Sequence, residues 1–362
     1  MKIGRISESV LKRSVLRQIK THREEVIKGA AVGEDCAFFS WNPSENVSTY
    51  QGNIDAATCK ETISSGSSLA VCTQTVALPI KSAPDLAVLS AVNNLAAGGA
   101  DPFAITAAIT LPAEAEEAWL KDIMTRMESK CKELHIELSG GHTEVSPAVN
   151  IPVISITALG KKRFTITDNH TILLKQQSLK QSSAKEFDIV VSKWIGLEGT
   201  VILANEKQEE LLGRYPQNLI LAAQSLEQYL SVLPEAALAD ESGVYMMHDM
   251  RSGGIFAALW EISRRIGVGL TIDLKKIPVK QETIEICEFY ELNPYLLLSG
   301  GGLIMLAENG KALVKKLEDA GISAAVIGST NSSNDKLVMN EEETRYLEPP
   351  VPDEIYKVFY KA

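Results

Sequence analysis

Apolar residues along this chain fall into two kinds of stretch, one with a helical period and one continuously apolar or β-branched, and the two kinds alternate. Behind Ser7, the positions Glu8, Val10, Leu11, Val15, Leu16 and Ile19 predict an amphipathic helix with Lys12, Arg13, Arg17 and Lys20 outside. That basic face reads as a solvated helix surface rather than a nucleic-acid patch. After a loop holding Gly33, Glu34 and Asp35, residues 69–78 predict a buried strand. Residues 84–97 predict a helix with Leu86, Leu89, Val92 and Leu95 inward, ended by Gly98-Gly99. A strand over 103–111, a long helix over 114–134, a short strand over 136–138 entering a Gly-rich turn, and a strand over 149–159 complete a first unit.

Between 163 and 185 the composition turns polar, with Gln and Ser clustered at 176–183, which marks a domain junction or inserted loop. The alternation then resumes. Strands are expected at 187–192, 244–247, 268–273, 303–306 and 324–327, with helices after 196–200 and at 255–266, 281–290 and 312–320. The pattern predicts a mixed α/β (α+β) protein of two domains, 1–165 and 166–362. Neither a short-period repeat nor a low-complexity tract is visible.

The length of 362 residues agrees with two domains. With 36 Lys and Arg against 46 Asp and Glu, the net charge is −10, which argues against a partner as polyanionic as nucleic acid. A small anion held by backbone amides or by a metal stays compatible with it. The longest uncharged stretches, 62–80 and 145–160, are broken by Ser, Thr, Gln or Pro and fall short of the run of about 20 apolar residues that a bilayer needs. No apolar segment of the kind that leads a secretory signal is seen near the start. Five cysteines (36, 59, 72, 131 and 287), with no CxxC spacing, read as reduced thiols of a cytoplasmic protein without structural zinc.

Candidate chemistry gathers where polar residues interrupt apolar runs. Glu34 and Asp35 stand at the entrance of the apolar run 36–39; carboxylates there suit Mg²⁺, although spacing alone favours a solvated acid pair in a turn. Gly140-Gly141-His142-Thr143 sits between two strands and offers either backbone amides to an anion or a tight turn. His248-Asp249-Met250-Arg251-Ser252-Gly253-Gly254 ends a strand and opens a helix, whose N-terminus suits an anion, or whose Asp249 or Ser252 is an N-cap. Ser299-Gly300-Gly301-Gly302 gives another close backbone approach. Walker, Rossmann, nucleophile-elbow and HExxH motifs are missing, and His22, His135 and His170 read as surface or capped histidines.

Taken in order, Gly33-Glu34-Asp35-Cys36-Ala37, the helix end from Asn93 to Pro102, Gly140-Gly141-His142-Thr143, Gly196-Leu197-Glu198-Gly199-Thr200 and His248-Asp249 with Arg251-Ser252-Gly253-Gly254 resemble the aminoimidazole ribonucleotide (AIR) synthetase, or PurM-like, superfamily. The resemblance runs from Lys2 to about Ile327 and is nearest to HypE-like AIR synthase-related members. It implies a homodimer whose N-domain strands close a β-barrel across the interface, and a C-domain mixed sheet packed with helices. It also implies ATP and Mg²⁺ in a cleft between the domains, and phosphorylation of an oxygen on a small-molecule substrate. On it, Glu34, Asp35 and Gln74 hold metal; Asp35, Asn94, Gly140, Gly141, His142, Thr143, Ser252, Gly253 and Gly254 line the nucleotide site; Asp249 and Arg251 are catalytic.

Three departures stand out. Gln74 and Asn94 occupy positions where such proteins usually carry aspartate, and His142 follows the Gly-Gly pair where an acid is common. Amide oxygens bring no charge, so Mg²⁺ binding is expected to be weakened. HypE members carry a carbamoyl group on a C-terminal cysteine, and Cys287 is the last cysteine here, so a standard HypE role is not expected. The resemblance thus leaves an ATP-dependent enzyme beside a catalytically degenerate nucleotide- or metabolite-binding dimer with a regulatory or scaffold role.

Overall fold

The computed structural model of the chain describes residues 8–19, 26–40, 68–163 and 186–360. Ser7, Lys20, His22, Cys59, His170 and residues 164–185 of the expected linker lie outside the described residues.

Six strands form the first sheet: β1 (Val26–Lys28), β2 (Ala37–Ser40), β3 (Ser68–Val76), β4 (Ala100–Leu111), β5 (Glu137–Val145) and β6 (Val153–Lys162). Their order is β1-β2-β3-β6-β4-β5. All pairs are antiparallel except β4 with β5. Period-2 alternation decides which face packs: Ala70, Cys72 and Val76 of β3 are buried with Ile154, Ile156 and Ala158 of β6. On the opposite face, hydroxyls pair across the strands, Thr73 with Thr157 at 2.9 Å and Thr75 with Ser155 at 2.8 Å.

Helix α1 (Ala83–Ala97) lies on the buried face, with α2 (Glu117–Glu133) beside it. Every residue of α1 is buried, which corrects the expectation of a one-sided helix. A stretch as apolar as Leu86 to Ala97, interrupted only by Ser90, Asn93 and Asn94, belongs inside a protein, and here the second half covers its far side. Leu86, Val88, Leu89, Val92 and Leu95 each contribute about 1.5–3 kcal/mol by leaving water.

That second half is a seven-stranded sheet of β7 (Asp188–Ser192), β8 (Met246–Met250), β9 (Gly269–Asp273), β10 (Gly302–Ala307), β11 (Ala324–Asn331), β12 (Lys336–Asn340) and β13 (Glu343–Tyr346). The order is β13-β12-β9-β11-β7-β10-β8, mixed because β12 and β9 run parallel. Helices α5 (Leu233–Glu241), α6 (Gly254–Ile266) and α8 (Gly310–Asp319) pack on it, while α3 (Leu197–Glu206), α4 (Gln217–Ser225) and α7 (Gln281–Phe289) pack on one another and join the core cluster of the first half. Edge strand β8 and α5 lie against α1, so the two halves share one packed seam. Among the described residues no helix is long and apolar enough to cross a membrane.

Two expectations are corrected. The amphipathic helix behind Ser7 is a short irregular piece, α over Glu8–Val10, π over Leu11–Val15 and 3₁₀ over Leu16–Gln18, and it buries no residue. Val15 and Ile19 stay exposed. The Gly-rich turn at Gly140–Thr143 is no turn but the middle of β5. Gly141 is required by packing there: a Cβ would sit 1.9 Å from the Ala107 carbonyl oxygen of β4.

Candidate active site between the halves

A cleft of about 550 Å³ opens where β8 ends against the first sheet. One wall is the segment from Gly29 to Ala37 and the strand residues Val71 to Thr75; the other is His248, Asp249, Arg251 and Ser252, with Asn94 of α1 at the seam. The chain leaves β8, turns through Gly253 and Gly254, both at positive φ, and enters α6. Gly254 is irreplaceable on space as well, since a Cβ would meet the Tyr295 carbonyl oxygen at 2.4 Å. The end of β8 and this turn place His248, Asp249, Arg251 and Ser252 at the mouth of the seam.

His248 is buried and spans the cleft. Its Nδ1 lies 2.8 Å from Asp35 Oδ1, and its Nε2 3.0 Å from Glu261 Oε2 of α6. Burial alone would lower its pKa, but the carboxylates of Asp35 and Glu261 outweigh it and lift the imidazole to about 10. It is therefore an imidazolium at neutral pH with both N–H groups donating. Glu34 is held by Lys28 and, at 2.9 Å, by Arg265, whose other terminal nitrogen is 3.6 Å from Asp35. The two acids expected to hold metal are thus already paired.

Asp249 is the opposite case. Its carboxylate is buried, and neither oxygen has a hydrogen-bond partner. Burial, then the charge of Asp35, push its pKa up to about 8, against the pull of Arg251 and His248. Arg251 is committed elsewhere: its Nε and Nη2 reach the two oxygens of Glu198 at 3.2 and 3.1 Å. Burial pushes Cys36 up to about 12, with Asp35 adding to it, and burial also raises Cys72, so neither cleft thiol is a nucleophile at neutral pH.

The remaining expected residues divide. Gln74 and Asn94 line the cleft, and so does Ser252. The Gly253 amide, expected to face an anion, donates instead to Asp353 Oδ2 at 2.6 Å, and Asp353 also takes the amides of Leu298 and Ile355. Gly140, Gly141, His142 and Thr143 are exposed on edge strand β5 and are not in the cleft wall. Glu261, Arg265, Lys28 and Tyr356 were missed by the motif reading. Glu261 did carry a signal, a carboxylate on the apolar face of α6 beside Ile262 and Ala258. Among the described residues no group of three or more His, Cys, Asp or Glu side chains converges to hold a metal ion.

Two family models match the chain, the AIR synthase related protein N-terminal domain over residues 33–161 and its C-terminal domain over residues 188–340. A putative hydrogenase expression/formation protein of Methanocaldococcus jannaschii is 26% identical over 279 residues, covering 75% of this chain and 78% of that protein. Among solved structures, HypE in its complex with HypF superposes with a TM-score of 0.66 at 19% identity, over 94% of this chain and 99% of that one. AaThiL complexed with AMPPCP and TMP gives 0.64 at 16% identity, over 96% and 97%. At such identities the structural likeness speaks for the fold.

Proposed function

We propose that this chain, which belongs to the AIR synthase related family, binds a nucleoside triphosphate in the cleft between its halves and phosphorylates an oxygen of a small substrate. The observation that carries this reading is Asp249, a buried carboxylate facing the cleft with both oxygens unpartnered. A buried polar group without a partner costs stability unless a ligand completes it. The cleft volume falls within the range of small-molecule sites, about 300–1,000 Å³. ThiL, with a nucleotide analogue and TMP bound, shows the same fold in use.

The residues present fit a magnesium ion that arrives with phosphates better than one caged by protein. Asp249 would hold it, with the amide oxygens of Gln74 and Asn94 nearby; one or two carboxylates plus phosphate oxygens and water suffice for Mg²⁺. Bound there, the ion supplies charge neutralisation on the phosphates. The chain's own contribution is placement: Glu198 fixes Arg251 at the rim, and Asn93 ties the halves by donating to the Leu230 carbonyl at 2.8 Å and accepting from the Val232 amide at 3.0 Å. Such catalysis is mostly positioning and electrostatics, which rigid walls provide.

The protein acts as a homodimer in this reading. In support, β5 is an exposed edge strand, and the Thr- and Ser-bearing face of the first sheet is not the one that α1 covers. Light scattering should return twice the chain mass; a monomer at micromolar concentration would remove the dimer. Incubation with ATP, Mg²⁺ and a metabolite panel should release ADP, with a phosphorylated product or phosphate. The paired state of Glu34 and Asp35 favours a second reading, a nucleotide-binding dimer without turnover. ATP binding with no ADP formed against any panel member would select it.

A further inference from the structure

We infer that Glu34 and Asp35 form an electrostatic latch that holds the two halves of the protein together, and that they do not serve as a metal shell. Both acids sit in the first half, at the end of the loop entering β2. Their partners His248 and Arg265 sit in the second half, on β8 and α6, more than two hundred residues away in the chain, while Lys28, the other partner of Glu34, sits on β1. His248 bridges the halves, joining Asp35 on one side to Glu261 on the other. Arg265 reaches both Glu34 and Asp35.

Two observations besides the ion pairs support the latch. The first is the backbone. Gly33 has φ of +76°, and a Cβ there would sit 2.8 Å from the Glu261 carbonyl oxygen and 3.3 Å from Arg265 Cβ. The loop is therefore pressed flat on α6, an approach that only glycine allows. The second is burial of the whole group, Lys28, Arg265 and His248 with Glu34, Asp35 and Glu261. The side chains of all six are 15% exposed or less. A divalent cation entering this group would have to displace Lys28 or Arg265 from Glu34, or His248 from Asp35, whereas neither oxygen of Asp249 has a hydrogen-bond partner to displace.

The inference stands apart from nucleotide binding and is tested on the ligand-free full chain in EDTA. Urea unfolding midpoints are compared for wild type, Asp35→Asn, His248→Gln and the double variant. A latch predicts that each single change lowers the midpoint and that the double falls by less than the sum, because the two act through one contact. Hydrogen exchange should then quicken together in residues 26–40 and in β8. A metal shell predicts the reverse for Asp35→Asn: in EDTA its midpoint is equal to or above wild type, since an uncompensated acid has been removed. That result, or strict additivity in the double variant, overturns the latch. If Asp35→Asn does not fold, Arg265→Lys replaces it. This variant keeps the charge but loses the fork across Glu34 and Asp35, and the latch predicts a smaller midpoint drop with the same two segments exchanging faster. A midpoint and exchange pattern equal to wild type would also overturn it.

Discussion

Two kinds of carboxylate lie around the cleft and have met opposite fates. Glu34 contacts both Lys28 and Arg265, and Asp35 and Glu261 share His248. Asp249, on the same strand as His248, keeps both oxygens unpartnered. Both kinds are buried, so burial alone does not separate structural acids from functional ones. What separates them is whether a side chain of the protein directly contacts the carboxylate oxygens. Where one does, removing it strands a buried acid; where none does, removing the acid relieves an unpartnered buried polar group.

The largest effect should come from His248→Ala, which leaves Asp35 and Glu261 buried without their shared donor. A loss of about 3–5 kcal/mol in unfolding free energy is expected by denaturant titration. A loss under about 1 kcal/mol, the level of a surface pair, would show that water reaches this network freely. Asp249→Asn should go the other way. The ligand-free protein is expected to be no less stable, while affinity for Mg²⁺ and ATP drops by the roughly 1.5–3 kcal/mol of a charge-assisted contact, read by calorimetry. A stability loss equal to that of His248→Ala would erase the contrast.

Smaller effects sharpen the same contrast. Gly33→Ala forces a left-handed φ on a residue with a Cβ and should cost about 1–2 kcal/mol, more if α6 must yield. The smallest lies outside the cleft. Glu8 binds Lys12, Trp260 Nε1 and Arg264. Burial would raise its pKa, but these three partners lower it to about 2 from 4.5. A carboxyl with a depressed folded pKa stabilises above its unfolded value, and that stabilisation is lost as pH falls from about 4.5 towards 2. Because Glu8 is only partly buried, solvent screening should keep the effect near that of a surface pair, under about 1 kcal/mol. Glu8→Gln should flatten the stability curve in that window, and an unchanged acid limb would contradict the pairing.

The sequence made some of this readable and hid the rest for physical reasons. The run from Leu86 to Ala97 announces a helix, and only the packing of β8 and α5 on its second side explains why it is buried all round. β5 escaped because an exposed edge strand needs no alternation, and Gly140-Gly141, an ordinary turn signal, answers here to the closeness of Ala107. Asp249 and Asp35 were found through the order of short motifs, and the structure does bring them to one cleft. The pairing itself was invisible: nothing local in Arg265 or Glu261 says that a loop two hundred residues earlier will lie on them.

Calorimetric titration of the full chain with ATP, in Mg²⁺ and again in EDTA, on wild type and Asp249→Asn, tests the central claim most directly. The account predicts saturable binding by the wild type in Mg²⁺, weaker binding in EDTA, and an Asp249→Asn variant whose affinity no longer depends on Mg²⁺. Absence of ATP binding at millimolar concentration under both conditions would contradict it.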